Sequence, residues 1–453
     1  MLKRLLFLIF GILLLSAAAQ TSVQSDIRKE LKLPEQIKLW TENNEQGNIT
    51  KISISDCQSG FNEIMTGSSY VSVYPKLEVS IADFKRFPDL EYLSLSGLGV
   101  IDLTGLAELK NLKYLNVSYA VLKRFNEAFS PSIVKLNLSN SRLEKGETTL
   151  KFQPEWKNIR ELCLDDFSPS ATIQGLEHLP LKWLQFRNYR GKRLEFLAGT
   201  QVVELDISGD NGSTLDLSGI EGLPLVRLNL GRYRAVRNLR VLGTLTKLEE
   251  LETSLHGDPD FSFQEISRLP LTRLTLWTSQ CIYPAVEAIR LAKLPLKELS
   301  LNQVYFADLL PILKMPLTTL RIFQIPVPEN IFQELSDNRK LRRLTIGNPL
   351  NGRGRLMTGQ LDWKELAVFR LKELDLSQCH SIPDWSWATA MPDLEILLLP
   401  ADVKELAPFK NMEFKVLVAT GINDEEFSRQ CSKYNITVDS RKINEMVPVS
   451  VIR

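Results

Sequence analysis

HLPLKWLQF, residues 178–186, decides the fold of this chain. Pro180 precedes a run in which Leu181, Leu184 and Phe186 are apolar, at positions 1, 4 and 6 of the pattern L-x-x-L-x-L. The phrase recurs as LPLVRLNL from Leu223, LPLTRLTL from Leu269, LPLKELSL from Leu294 and MPLTTLRI from Met315. The wider template fits at Ile49, Leu90, Leu112, Ile133, Ile159, Leu181, Val202, Leu225, Leu271, Leu296, Leu317, Leu341, Leu371 and Leu394, and more loosely at Leu248 and Phe414. Between Leu90 and Leu394 the spacing averages about 23 residues. Positions 4 and 6 alternate with polar residues, which is the mark of a short strand with one buried face. Such a strand cannot bury its apolar face alone. Copies at a fixed spacing stack into a parallel sheet, and the return segments close the core from the other side.

The return segments carry their own pattern. IADFKRFPDL (81–90) and LTGLAELKNL (103–112) place apolar residues three apart, which suits 3₁₀ turns better than a 3.6-residue helix. PENIFQELSDNRKL (328–341) reads as a short α-helix, with Pro328 at its first position and Ile331 and Leu335 on one face. Pro180 ends a return: it biases Leu179 toward extended backbone and stands where a strand's missing N–H costs least.

LTGLAELKNLKYLNVS (103–118) is similar to the leucine-rich repeats of bacterial internalin-like proteins, and the L-P-L-x-x-L-x-L form resembles repeats of exported bacterial proteins. The resemblance spans roughly residues 45–420. It implies an α/β leucine-rich repeat solenoid of about 16–17 repeats, curved, with a parallel sheet on the concave face and 3₁₀ or short α returns on the convex face. One departure matters. The resemblance calls for Asn at position 9, where its side chain holds the turn. Here position 9 reads Cys57, Leu98, Ala120, Ser141, Phe167, Asp210, Tyr233, His256, Ser279 and Cys379. These turns must be held in another way.

A chain of 453 residues would ordinarily divide into several domains, but a stacked array lengthens without starting a new core. Lys and Arg number 55 against 54 Asp and Glu, so no global field selects nucleic acid or an anionic membrane. MLKRLLFLIFGILLLSAAAQ has a basic start, an apolar run and a small-residue end, the layout of a signal peptide cleaved before Gln20. Its removal takes away Lys3 and Arg4, moving the formal charge from +1 to −1. No later stretch is long and apolar enough to span a bilayer, so the expected destination is the periplasm, the cell surface or the medium. The expected order is signal peptide 1–19, N-terminal cap 20–48, repeat domain 49–420 and C-terminal cap 421–453. Within the last, INDEEFSRQCSKYNITV reads as a helix capped by Asn423. Ile396, Leu398, Val416 and Val418 are apolar at normally exposed strand positions, and read as a face covered by the C-terminal segment, with an exposed binding patch as the alternative.

Function is expected at positions 3, 5 and 7, which form columns across the concave face. The candidate binding residues there are Tyr92, Tyr114, Asn116, Asn137, Trp183, Gln185, Asp206, Arg227, Asn229 and Trp277. Aromatic and Arg side chains are the usual anchors of interfaces. Glu204, Arg227, Glu250, Arg273 and Glu298 alternate along column 3 and read as a stabilising charge ladder. Two basic stretches, RNYRGKR (187–193) and GRYRAVR (231–237), place Arg187, Tyr189, Arg190, Arg193, Arg232, Tyr233 and Arg234 on a candidate rim. Arg forks there suit an anionic glycan. Catalysis is not expected: His178, His256 and His380 stand in separate repeats, and no nucleophile elbow, phosphate loop or metal motif occurs. Five widely spaced cysteines without a C-x-x-C pair predict free thiols rather than a zinc site or a stapled scaffold. Of five N-x-[ST] sequons, Asn116 and Asn137 lie mid-strand, a poor place for glycan, which points to a bacterial source. The expectation is an exported, monomeric, non-enzymatic protein without metal or cofactor that binds a protein through its concave face. A glycan binder using the rim, and an enzyme with an unrecognised site, are the alternatives.

Overall fold

The computed structural model describes residues 24–439 apart from 36, 57–63, 67–68, 72–76, 169–170, 210–211, 232, 278–281, 352–353 and 357–359. The expected signal peptide, Cys57, Arg232, Cys281 and residues 440–453 therefore lie outside the described residues. The chain forms two compact units, Met1–Leu225 and Val226–Arg453.

Unit 1 begins with a helix at residues 24–30 (α1) and strand β1 (Ile37–Asn43). β1 pairs antiparallel with β2 (Ile49–Asp56), with Trp40 opposite Ser53. From β2 the sheet is parallel through β3 (Tyr92–Ser96), β4 (Tyr114–Asn116), β5 (Lys135–Asn137), β6 (Glu161–Cys163), β7 (Trp183–Gln185) and β8 (Glu204–Asp206). Unit 2 continues the same pattern within itself: β9 (Arg227–Asn229), β10 (Glu250–Ser254), β11 (Arg273–Trp277), β12 (Glu298–Asn302), β13 (Thr319–Phe323), β14 (Arg343–Gly347), β15 (Glu373–Asp375), β16 (Ile396–Leu399) and β17 (Val416–Ala419). In each unit equal repeat positions face one another, so Leu162, Leu184 and Leu205 share one rung. Leu181, Leu184 and Phe186 are 0%, 0% and 4% exposed, so the opening phrase is a core rung. Each such side chain contributes about 1.5–3 kcal/mol by leaving water.

The returns alternate in kind as their spacing predicts. Single 3₁₀ turns occupy Ile81–Phe84, Leu106–Glu108 and Leu176–His178. Leu179 then takes extended backbone, φ −84° and ψ 141°, as the following proline requires. Longer returns in unit 2 form α2 (Ala285–Leu291), α3 (Leu310–Leu313) and α4 (Ile331–Leu335). α4 starts later than its sequence implies. Pro328 lies in the turn before it, accepting the Ile331 N–H at 3.1 Å. A second parallel sheet, Glu78–Ser80, Gly99–Asp102, Ala120–Lys123 and Arg142–Leu143, runs along the returns of unit 1.

The turns are held without an Asn column. At position 8 the backbone turns left-handed: φ is 56° at Tyr119, 56° at Asn140, 51° at Asp166 and 57° at Asn188. That conformation aims each N–H at the position-7 carbonyl of the next repeat. Tyr119 donates to Ser139 at 2.9 Å, Asp166 to Arg187 at 3.0 Å and Asn188 to Ser208 at 2.7 Å. In unit 2, Gln303 and Gln324 do the same toward Phe323 and Gly347 at 2.9 and 2.8 Å. Position 9 points inward. Leu98, Ala120, Phe167 and Cys379 are buried there. Ser141 Oγ donates to the Val117 carbonyl at 2.8 Å and accepts the Ala120 N–H at 3.1 Å. Cys379 Sγ donates to the Ile346 carbonyl at 3.0 Å.

Candidate functional site

In-register stacking builds the outward columns. Neighbouring parallel strands lie roughly 4.8 Å apart, so like positions touch like positions. Column 3 of unit 1 runs Lys51, Tyr92, Tyr114, Lys135, Glu161, Trp183 and Glu204. Tyr92 and Tyr114 stack face to face, with centroids 4.4 Å apart and planes within 2°. Burial, followed by the neighbouring Tyr92 hydroxyl, pushes the Tyr114 hydroxyl up to about 12, so it stays a neutral donor. Ion pairs bracket the stack: Lys51 to Glu42 at 2.8 Å and Lys135 to Glu161 at 2.6 Å.

Trp183 is half-buried between Glu161 and Glu204 on the adjoining strands. Arg160, Glu161, Lys182, Trp183, Val203 and Glu204 line an open groove of about 520 Å³. The lining thus combines the indole with both signs of charge. Of these residues only Trp183 is a binding candidate by sequence. The partners were recoverable, because residues at positions 2 and 3 of adjoining repeats must meet once the register is constant.

Column 5 is largely committed to the scaffold. The side-chain oxygens of Asn116 and Asn137 accept the N–H two residues on, at Ser118 and Ser139, at 3.0 and 2.9 Å. Asn229 does this for Gly231 at 2.9 Å and Asp206 for Ser208 at 3.5 Å. Asn116 Nδ2 also donates to Ser94 Oγ at 3.0 Å. Gln185 donates to Asp165, whose other oxygen accepts the Arg187 N–H at 2.7 Å.

The two basic stretches lie in separate units. In the first, Arg187 is exposed and salt-bridged to Asp206 at 3.0 Å. Arg193 pairs with Glu195 at 3.2 Å, and Arg190 is exposed. Tyr189 is half-buried against Phe186 and Phe196, and its hydroxyl donates to the Arg193 carbonyl at 2.7 Å. Burial raises that hydroxyl to about 12. In the second stretch Arg234 is exposed, Arg232 is outside the described residues, and Tyr233 is buried. Tyr233 is therefore not a rim residue, correcting the sequence reading. Both tyrosines occupy position 9, the inward slot, and the nearby arginines do not turn that slot outward.

In unit 2 the column-3 charges form the expected ladder. Arg227 lies 3.5 Å from Glu250, and Arg273 reaches Glu250 at 2.8 Å and Glu298 at 3.1 Å. These charges satisfy one another, so Arg227 is engaged by its neighbour. Trp277, at position 7, is half-buried, and its Nε1 is buried with no partner among the described residues.

Cys163, Cys379 and Cys431 are free thiols. Among the described residues no group of His, Cys, Asp and Glu could hold a metal ion, and no helix is long and apolar enough to cross a membrane.

No protein-family model and no curated protein matches the chain. Solved leucine-rich repeat structures are similar to it at low identity. An internalin (InlF) from Listeria monocytogenes is 17% identical over 92% of this chain and 94% of its own, with a TM-score of 0.40. A leucine-rich repeat protein of Leptospira interrogans is 18% identical over 81% and 89%, with a TM-score of 0.35. The ectodomain of the plant receptor kinase GASSHO1/SCHENGEN3 from Arabidopsis thaliana is 16% identical over 86% of this chain and 44% of its own, with a TM-score of 0.38. The repeat itself, its in-register parallel strands and its 3₁₀ and α returns carry the assignment of the fold: the chain has a leucine-rich repeat fold.

Proposed function

We propose that the chain is an exported, non-enzymatic protein that binds another protein through the outward strand face of unit 1. The observation that carries this reading is column 3, where Tyr92 and Tyr114 stack on neighbouring strands and Trp183, three strands further on, lines an open groove. Rigid aromatic side chains lose little entropy on binding and act as anchors. The Asn and Asp residues of column 5 fix the turns under that face. The rim is the weaker candidate for a glycan site. Arg187 and Arg193 already have carboxylate partners, and Tyr233 is buried.

The test starts with affinity capture from envelope or host extract, followed by calorimetry on the partner obtained. Tyr114→Ala with Trp183→Ala is expected to weaken binding by at least about 30-fold, some 2 kcal/mol. Arg187→Ala, Arg190→Ala and Arg234→Ala together are expected to change it less than about threefold, with a shallow salt dependence. Loss of binding in the arginine variant with steep salt dependence would replace this reading with the rim. N-terminal sequencing of protein recovered outside the cytoplasm should begin at Gln20; a start at Met1 refutes cleavage.

A further inference from the structure

The charges that line the groove beside Trp183 are not equally free. Glu161 is held by Lys135 at 2.6 Å, and Glu204 is likewise engaged. Arg160 and Lys182 are exposed, and neither has a side-chain hydrogen bond or ion pair among the described residues. Their place in the repeat explains this. Both stand at position 2, one residue before β6 and β7, and stacking sets them side by side: the Lys182 N–H donates to the Arg160 carbonyl at 2.8 Å. Their neighbours in that column are Val134 and Val203. The Arg160 N–H donates to the Val134 carbonyl and the Val203 N–H to the Lys182 carbonyl, each at 2.9 Å. No carboxylate stands beside them in their own column. The other cations at positions 2 and 3 of the unit 1 strands do have one: Lys51 reaches Glu42 at 2.8 Å, Lys113 reaches Glu91 at 3.0 Å and Lys135 reaches Glu161.

Like charges on neighbouring strands destabilise each other. A carboxylate laid between them relieves that repulsion and gains charge-assisted hydrogen bonds. Trp183 lines the same groove, half-buried, and offers ring surface to whatever adjoins the carboxylate. Glu161 and Glu204 set a limit. They follow at position 3, or one strand over, roughly 3–5 Å along the backbone from the cations. A ligand charged on every unit would meet them as well. A single carboxylate beside an apolar side chain does not.

We propose that this groove takes an acidic peptide segment of the protein partner, with an Asp or Glu carboxylate between Arg160 and Lys182 and an adjoining apolar or aromatic side chain against Trp183. The proposal rests on the reading of column 3 as a protein-binding face and gives the partner its chemistry.

The probe is the dipeptide acetyl-Glu-Phe-amide, titrated into the full chain carrying isotope-labelled tryptophan and followed by NMR. The Trp183 indole signal is the one missing from Trp183→Phe. The probe should shift it saturably below about 20 mM, and Arg160→Gln with Lys182→Gln should weaken binding at least about tenfold. Acetyl-Gln-Phe-amide, which keeps the ring and loses the charge, should be weaker by a similar factor. Lys113→Gln, a paired cation of the same column, should leave binding unchanged. Arg160 and Lys182 are exposed and unpaired, so their variants should keep the urea midpoint. The absence of a saturable shift overturns the proposal, as does equal binding of the acid and amide probes. Tighter binding of acetyl-Lys-Phe-amide or of a heparin tetrasaccharide also overturns it. With the captured protein partner the two readings separate. If Tyr114→Ala with Trp183→Ala weakens that partner and Arg160→Gln with Lys182→Gln does not, the face stands and this proposal falls. Weakening by both supports it, and weakening by neither removes both readings.

Discussion

At the scale of the residue, burial changes what a group can do. Cys379 occupies the inward slot of a turn, and burial raises its thiol to about 12. It stays protonated at pH 8, and the thiolate is the reactive form. Labelling the folded protein with a disulfide reagent at pH 8 should leave Cys379 unmodified until denaturant is added; prompt reaction would show that the turn opens. Asp102 shows the opposite direction. Burial works to raise its carboxyl, but hydrogen bonds from the Thr104 hydroxyl and backbone, and from Arg124, outweigh burial and lower it. A lowered carboxyl adds stability above its unfolded value of about 3.9 and loses it as pH falls through the folded value. Asp102→Asn should therefore cost about 1–3 kcal/mol at pH 7 in urea unfolding, with the gap to wild type closing below about pH 4. A gap that is constant with pH would remove the charge from the explanation.

At the scale of the element, polar side chains stitch one repeat to the next. Glu287 on α2 is 6% exposed. Its carboxylate accepts the Phe263 N–H at 2.8 Å and the Ser262 hydroxyl at 3.1 Å, and pairs with Arg290. Removing one member of such a group leaves buried donors without an acceptor. Glu287→Ala should cost about 3–5 kcal/mol in urea unfolding, and Glu287→Gln less, since the amide oxygen still accepts from Phe263. Equal costs would assign the loss to packing alone. This network was not legible in the sequence. Ser262 and Glu287 stand in different repeats of irregular length, and no spacing rule pairs them. The Asn423 cap was legible, because its side chain reaches only to the Glu426 N–H, at 2.9 Å.

At the scale of the molecule, each unit is a stack in which a repeat touches mainly its neighbours. Leu344→Ala on β14 should cost about 2–5 kcal/mol. Its effect on amide exchange should be largest on β13, β14 and β15 and fade along unit 2. A uniform effect on every strand of the unit would contradict a nearest-neighbour stack. Column 3 was readable in advance for the same reason. With a constant register, Tyr114 had to meet Tyr92, and Arg273 had to meet Glu250 and Glu298. The rim was not readable this way, because loop residues have no register to inherit. Tyr189 and Tyr233 looked like surface partners of the arginines beside them until position 9 proved to face inward.

The sequence by itself determined the repeat, its spacing, the buried rungs and which residues share a column, because period and side-chain alternation are local properties. Only the tertiary structure decided what those residues are free to do. Asn116, Asn137 and Asp206 carry polar atoms that could face a ligand, yet the turn two residues ahead claims an oxygen of each. Arg187 could grip an anion, yet Asp206 reaches it first. Hydrogen-bond capacity is written in the chain, and its allocation depends on distances that exist only after the repeats have stacked.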